Sequence, residues 1–362
     1  RALHRLPGEN RITLQYQTSR LRLVSKKSPF EIVVTSVAAG TRKTLDIPFS
    51  VLSVHTPVAM SVHVVLGRRQ GPTLFVSAAI HGDEIIGVEI IRRLLRAKPL
   101  DRLRGTLLAI PVVNSFGFLN RSRYLPDRRD LNRSFPGHAS GSLAARLAHL
   151  FMDEIVARAD FGIDLHSAAV NRVNLPQIRV SHSKPDTMAL AKAFGAPLIL
   201  TSKIRDGSLR SATQDKGVDV LVYEAGEALR FDEFSVRTGV AGILRIMRKM
   251  DMVAAKGVPK MRVRSIRSSS SYWVRAAAGG LLRTYKTIGE EVGARDVLGE
   301  ISDPFGESDV EVVPGDPGLL IGRTNLPVVN EGDAVFHIAR INKEIDAEST
   351  IDALATHLDE HP

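Results

Sequence analysis

Short apolar runs that stop at a polar residue recur between residues 31 and 227, and each is followed by a stretch whose apolar positions return every three or four residues. The clearest run, Leu74 to Ile80, ends at His81-Gly82-Asp83-Glu84. Its length and the glycine that follows predict a buried strand ending at His81. Beyond it Ile86, Ile90, Ile91, Leu94 and Leu95 recur at helical spacing. That spacing predicts a helix with Asp83 as N-cap, Glu84 in its first turn, and Arg92, Arg93 and Arg96 toward solvent. The rhythm repeats with a second core strand at 105–114, a helix from about Ser142 to Ala157, and a strand from Phe161 that ends at His166 and Ser167. It continues with a helix near Pro185 to Phe194, a fourth strand over 219–227 with Glu224 near its end, and a helix from about Phe231 to Met250. Alternating strands and helices predict an α/β fold whose parallel strands present their carboxyl ends on one side of the sheet.

Outside this rhythm the texture differs. Residues 1–30 are polar and basic, without periodicity, and read as an extension. Strand-like segments follow at 32–34, 44–47 and 61–66. Ser115 to Pro136 reads as one long loop dense in Arg, Asp and Asn, and a loop of that length in a compact domain is usually functional. From about Arg262 short strand-like runs alternate with glycine turns, after a Ser-rich linker over 264–271. The expected division is an extension at 1–30, a catalytic domain at 31–258, an all-β module at 262–341 and a tail at 342–362 whose Ile351, Leu354 and Leu358 form a helical stripe.

Cysteine is absent from the 362 residues, which excludes a disulfide framework, Cys-ligated zinc and thiol catalysis, so any metal must be held by His and carboxylates. Basic residues outnumber acidic ones 49 to 39, for a formal charge of +10, and six Arg or Lys crowd into Arg92 to Arg104. No nucleic-acid motif or aromatic-interleaved strip accompanies them, so a solvated basic surface is expected, with no nucleic-acid partner and a preference for acidic substrates. No apolar run approaches a membrane span, and Arg1 to Arg11 lack the apolar core of a signal peptide; no membrane partner and a cytoplasmic location are expected.

His81 and Glu84, three residues apart across a strand-to-helix corner, are able to converge on one point as two ligands of a zinc site. Alone the pair is equally a helix-capping corner with a surface His, His166 is equally a buried hydrogen-bonded His, and Glu224 a strand-end acid. Taken together and in order, His81-Gly82-Asp83-Glu84, Arg123, the segment Asp130 to Phe135, Asp164-Leu165-His166 and Glu224-Ala225-Gly226 resemble the succinylglutamate desuccinylase and aspartoacylase family, a branch of the zinc carboxypeptidase-like fold. The resemblance implies a mixed sheet flanked by helices and one zinc per chain on His81, Glu84 and His166. It also implies a catalytic acid/base at Glu224, an Arg that polarises the scissile carbonyl at Arg123, with Arg121 as a rival, and a carboxylate-binding pair at Asn132 and Arg133. Asp164 either orients a ligand imidazole or points elsewhere. The C-terminal module resembles the barrel-sandwich of lipoyl- and biotinyl-carrier domains, but the comparable turn, Asp303-Pro304-Phe305-Gly306, has no lysine to modify. It is expected to cover the mouth of the active site or to join copies of the chain into a homo-oligomer. The function so implied is a zinc amidohydrolase that removes an acyl group from a small anionic N-acyl amino acid. A metallocarboxypeptidase acting on peptide C-termini and a non-catalytic scaffold are the alternatives.

Overall fold

The computed structural model describes residues 29–32, 35–181, 185–261, 264–341 and 347–359. Nearly all of the expected extension at 1–30, and Val33 and Val34 of the first expected strand, lie outside them.

A mixed sheet of 13 strands forms the centre. Four strands in its middle run parallel, in the spatial order Asp219–Glu227, Phe161–Ala168, Arg69–Ala78 and Arg104–Ile110. Antiparallel strands flank them, Arg172–Val180 on one side and Pro57–Leu66 followed by Arg42–Val51 on the other. The parallel strands are apolar on both faces because both faces are covered. Leu74, Val76 and Ala78 face a core shared with the helices Ile86–Leu94, Pro185–Phe194 and Glu233–Lys249, while Phe75 between them faces a core shared with the helix Leu143–Glu154. Alternate side chains of one strand thus anchor two helical layers.

Several expectations shift by a residue or more. The first core strand stops at Ala78, where Ala79 takes a left-handed backbone (φ 51°), so His81 sits in the turn beyond the strand. Its helix begins at Ile86 after Ile85, and Asp83 does not cap it: its side chain is buried, with Oδ1 lacking a partner among the described residues. Arg92 and Arg96 are exposed as expected, whereas Arg93 is half-buried; Glu89 pairs with both Arg92 and Arg93, and Glu233 also with Arg93. Residues 115–136 are not one loop: they contain the helix Ser115–Asn120, capped by the Asn114 side chain, and a tight turn at Leu131–Arg133, capped by Asp130.

The Ser-rich stretch at 264–271 is not a linker either. Ile266–Ser268 is a strand that pairs in parallel with Leu198–Thr201, and Ile266 is buried. Beyond it, Ser271–Arg275, Ala334–Ala339 and Gly318–Thr324 continue the central sheet through the pairing of Gly318–Thr324 with Arg172–Val180. A second, antiparallel sheet of four strands stands apart, in the order Asp309–Val312, Gly299–Ser302, Gly280–Thr284, Val328–Val329. The tail forms the helix Ala347–Asp359, with Ile351 and Leu354 packed inward; the Leu358 side chain falls outside the description. Among the described residues no helix is long and apolar enough to cross a membrane.

Candidate metal centre and active site

The corner after the first core strand is built by glycine. A Cβ on Gly82 would lie 1.9 Å from the carbonyl carbon of Gly117, and one on Gly87 would lie 2.6 Å from the Cβ of Ala78. Only a hydrogen at these positions lets the turn slide under Ser115–Asn120 and the helix lie close on the strands. That closeness drives Glu84 down beside the end of Phe161–Ala168, where His166 waits.

His81, Glu84 and His166 are each at most 4% exposed. Nδ1 of His81 lies 2.7 Å from Oε1 of Glu84, and Nδ1 of His166 lies 2.7 Å from Oε2. One potential ligand atom from each residue falls within 4.8 Å of the others. The Ser167 N–H donates to Oε2 of Glu84 at 3.1 Å. The other ring nitrogens are also held: Nε2 of His81 is 3.1 Å from Asp130, and Nε2 of His166 is 2.7 Å from Asp164, whose second oxygen accepts from the Ser77 hydroxyl at 2.8 Å. Of the two readings left open for Asp164, the one that orients the imidazole is what the geometry has. Fixing Nε2 in this way leaves Nδ1 of both rings directed at Glu84.

Burial by itself disfavours every charge here, yet the charges sustain one another. Desolvation works to lower the His166 pKa, but Asp164 and Glu84 together push it well above the ordinary histidine value; His81 is raised in the same sense by Glu84 and Asp130. Glu84 and Asp130 stay ionised far below the usual carboxylate range, burial being overcome by the two histidines for Glu84 and by His81 and Arg123 for Asp130. Two imidazoles and a carboxylate with potential ligand atoms turned toward one another make a donor set that suits a single metal ion.

The other expected site residues line the same cavity, of about 600 Å³. Glu224 is in register with His166 on the neighbouring parallel strand. Its carboxylate accepts from Arg179 at 3.1 Å and from the Asn174 amide at 3.2 Å. Arg123 donates to Asp130 at 2.9 Å and reaches Oε1 of Glu84 at 3.3 Å. Its rival Arg121 is exposed, in a left-handed conformation at the end of Ser115–Asn120, and does not line the cavity. Arg133 lines the cavity without an ion-pair partner among the described residues; burial first, then Arg205 and Arg123, lower its pKa. Asn132 is turned partly to structure, its Oδ1 accepting from the N–H of Leu209 at 2.9 Å.

Four kinds of contributor escaped the sequence. Asp130 is more than part of a motif, since it grips both His81 and Arg123. Arg179 holds Glu224, and the one available signal was a charged residue inside the apolar run Leu175 to Val180. Arg210 also lines the cavity, its pKa brought down to about 10 by burial and by Arg179 beside it. Trp273 and His337, from the C-terminal strands, form a wall, with rings stacked at 4.5 Å and the Arg172 guanidinium 5.1 Å from the Trp273 ring centre. Nothing local in the sequence marks either as a cavity residue.

The model of the succinylglutamate desuccinylase/aspartoacylase catalytic domain matches residues 70–250, which is half of the chain. The chain belongs to this family. It is 26% identical over 330 residues to N-alpha-acetyl-L-2,4-diaminobutyric acid deacetylase from Halomonas elongata, covering 87% of this chain and 96% of that one. The solved succinylglutamate desuccinylase/aspartoacylase from Rhodobacter sphaeroides is similar at 25% identity and a TM-score of 0.74, over 83% of this chain and 96% of that one. The product-bound structure of the ectoine utilization protein EutE (DoeB) from Ruegeria pomeroyi shares the fold, at 24% identity, a TM-score of 0.74, and coverage of 83% and 94%. This member of the family is thus a deacylase, a hydrolase of amide bonds, with a buried His-Glu-His triad suited to one metal ion.

Proposed function

We propose that the chain is a zinc-dependent amidohydrolase that removes the acyl group from a small anionic N-acyl amino acid. One observation carries the reading: Glu224 stands in register with His166, and the cavity they share is lined by Arg123 and Arg133. His81, Glu84 and His166 would hold the ion, and two imidazoles with one carboxylate are a donor set that suits a catalytic zinc with an open position. When bound, the ion supplies an acidified water and an electrophile for the scissile carbonyl.

The remaining roles belong to the chain. Glu224 takes a proton from the attacking water and passes it to the leaving amine. Arg179 and Asn174 hold its carboxylate in place for that transfer. Arg123, whose guanidinium lies beside Glu84 and His81, offers positive charge to the developing oxyanion. Arg133 binds the substrate carboxylate through its planar fork, and Asn132, whose Oδ1 is taken up by the Leu209 N–H, adds a neutral hydrogen bond through its amide N–H.

The Trp273 and His337 wall limits the room beyond the acyl group, which supports a short substrate over the carboxypeptidase alternative. We read the C-terminal strands, including the separate four-stranded sheet, as a barrel-sandwich module that covers the mouth. The similarity to an N-acetyl-diaminobutyrate deacetylase supports an acetyl group on a small amino acid. The test is a panel of N-acyl amino acids beside unblocked peptides, with zinc-loaded and chelated protein. Turnover of short N-acyl amino acids is expected; efficient trimming of long peptides instead would make the chain a carboxypeptidase.

A further inference from the structure

The basic run Arg92 to Arg104 divides in the fold. Its first part lies on the helix surface, where Glu89 takes up Arg92 and Arg93. Its last part, Arg102 and Arg104, joins Arg42, Arg68, Arg69 and Arg248 around a second cavity of about 940 Å³. This cavity sits where Arg69–Ala78 and Arg104–Ile110 begin, at the opposite end of the parallel strands from the triad.

The crowding of cations is built into the backbone. A Cβ on Gly67 would lie 2.1 Å from the carbonyl oxygen of Leu103, and one on Gly105 would lie 2.0 Å from that of Pro72. Gly105 has a φ of +82°, so the position requires glycine twice over. The close approach sets Arg69 opposite Arg104, and the Arg68 side chain lies along Gly40, where a Cβ would meet it at 2.7 Å. Only two acids lie in the lining: Asp101 binds Arg42 at 2.9 Å, and Asp251 binds Arg248 at 3.2 Å. Arg68, Arg69, Arg102 and Arg104 therefore have no ion-pair partner among the described residues. Leu66, Leu103, Met252 and Val253 close the bottom of the cavity and are at most 4% exposed, whereas Arg68, Arg69, Arg102 and Arg104 are exposed at its rim.

We propose that this cavity is a second binding site, for a nucleoside polyphosphate. Planar guanidinium groups match phosphate oxygens through paired hydrogen bonds, and unpaired ones around a concavity concentrate field where a compact polyanion fits. The base stacks on an exposed guanidinium plane at the rim. The volume falls in the range of small-molecule sites, and a ring of arginines about a hollow differs from the open strip that a nucleic-acid strand follows.

Calorimetric titration of the intact chain with adenosine triphosphate, with inorganic triphosphate and with single-stranded oligonucleotides of increasing length tests this, at about 0.15 M salt, where screening suppresses diffuse attraction. One saturable site is expected, tighter for the nucleotide than for inorganic triphosphate. The double variant Arg68→Ala/Arg102→Ala should weaken it by about tenfold or more, charge-assisted hydrogen bonds being lost, while deacylase turnover stays unchanged. Undiminished binding in that variant would place the anion on the active-site arginines and overturn the proposal. So would the absence of saturable binding, equal affinity for nucleotide and inorganic triphosphate, or an affinity that appears only with oligonucleotide length.

Discussion

Two charged clusters share the active cavity and are built in opposite ways. Around His81, Glu84 and His166 every ring nitrogen has a carboxylate partner, and the three residues are at most 4% exposed. At the arginine end Arg133 lacks an ion-pair partner, while Arg210 and Arg179 carry buried nitrogens, Nη1 and Nε respectively, with no partner among the described residues. The first cluster is complete in protein alone, its carboxylates matched by the two imidazoles and Arg123. The second is left short of negative charge, a deficit that an anionic substrate would fill. The triad therefore fixes geometry in advance, whereas at the arginine end only Arg179 has an acidic partner, Glu224.

Breaking the link between the two clusters should have the largest effect. Glu224→Gln removes the proposed proton carrier while leaving the triad intact, so turnover is expected to fall by about 10²–10⁴-fold with metal content unchanged. Rates near wild type would make Glu224 a structural acid held by Arg179. Next comes Asp164→Asn, which leaves His81, Glu84 and His166 in place but weakens the hold on Nε2 of His166; metal affinity is expected to drop by about 10–100-fold, read by competition with a chelator. Unchanged affinity would show that Asp164 serves Ser77 and the sheet instead. At the other cluster, Arg133→Lys keeps the charge and loses the fork. Its catalytic efficiency on anionic substrates should fall about tenfold or more, with neutral amides much less affected. Equal losses on both would mean that Arg133 supports the turn and does not meet the substrate.

The smallest effect concerns the cavity wall formed by Trp273 and His337. Burial, and then Arg179, push the His337 pKa down to about 3, so the folded chain keeps this ring neutral. Between its ordinary value of 6.5 and about 3 the unfolded chain binds the proton more readily, and stability contributed here falls as pH falls through that window. His337→Asn should therefore flatten the decline of melting temperature between neutral and mildly acidic pH. An identical slope in variant and wild type would show that His337 is protonated in the fold.

Much of the site was legible because its residues stand where periodicity stops. His81 and His166 each end an apolar run, and Glu224 sits near the end of a third, so parallel strands were enough to place them on one side. The helix start and the role of Asp83 were misread for a local reason: a cap residue is chosen by sequence preference only when the turn is free, and here Gly82 and Gly117 hold the turn by contact. The stretch at 264–271 was misread because its one buried apolar residue, Ile266, finds its partner in Leu198, 68 residues earlier by number. Serine-rich composition speaks of exposure, and pairing at that distance leaves no local trace.

By itself the sequence determined the alternation of strands and helices, the exclusion of thiol chemistry, and the residue types at the strand ends, because each follows from side-chain period or composition over a few residues. Tertiary structure alone decided that Asp130 and Asp164 grip the two imidazoles, that Arg123 and not Arg121 faces the cavity, and that Trp273 and His337 close it. Those outcomes depend on which chain segments far apart in sequence are brought within a few ångströms, and such contacts are fixed by the packing of the sheet and its layers, not by any short run of residues.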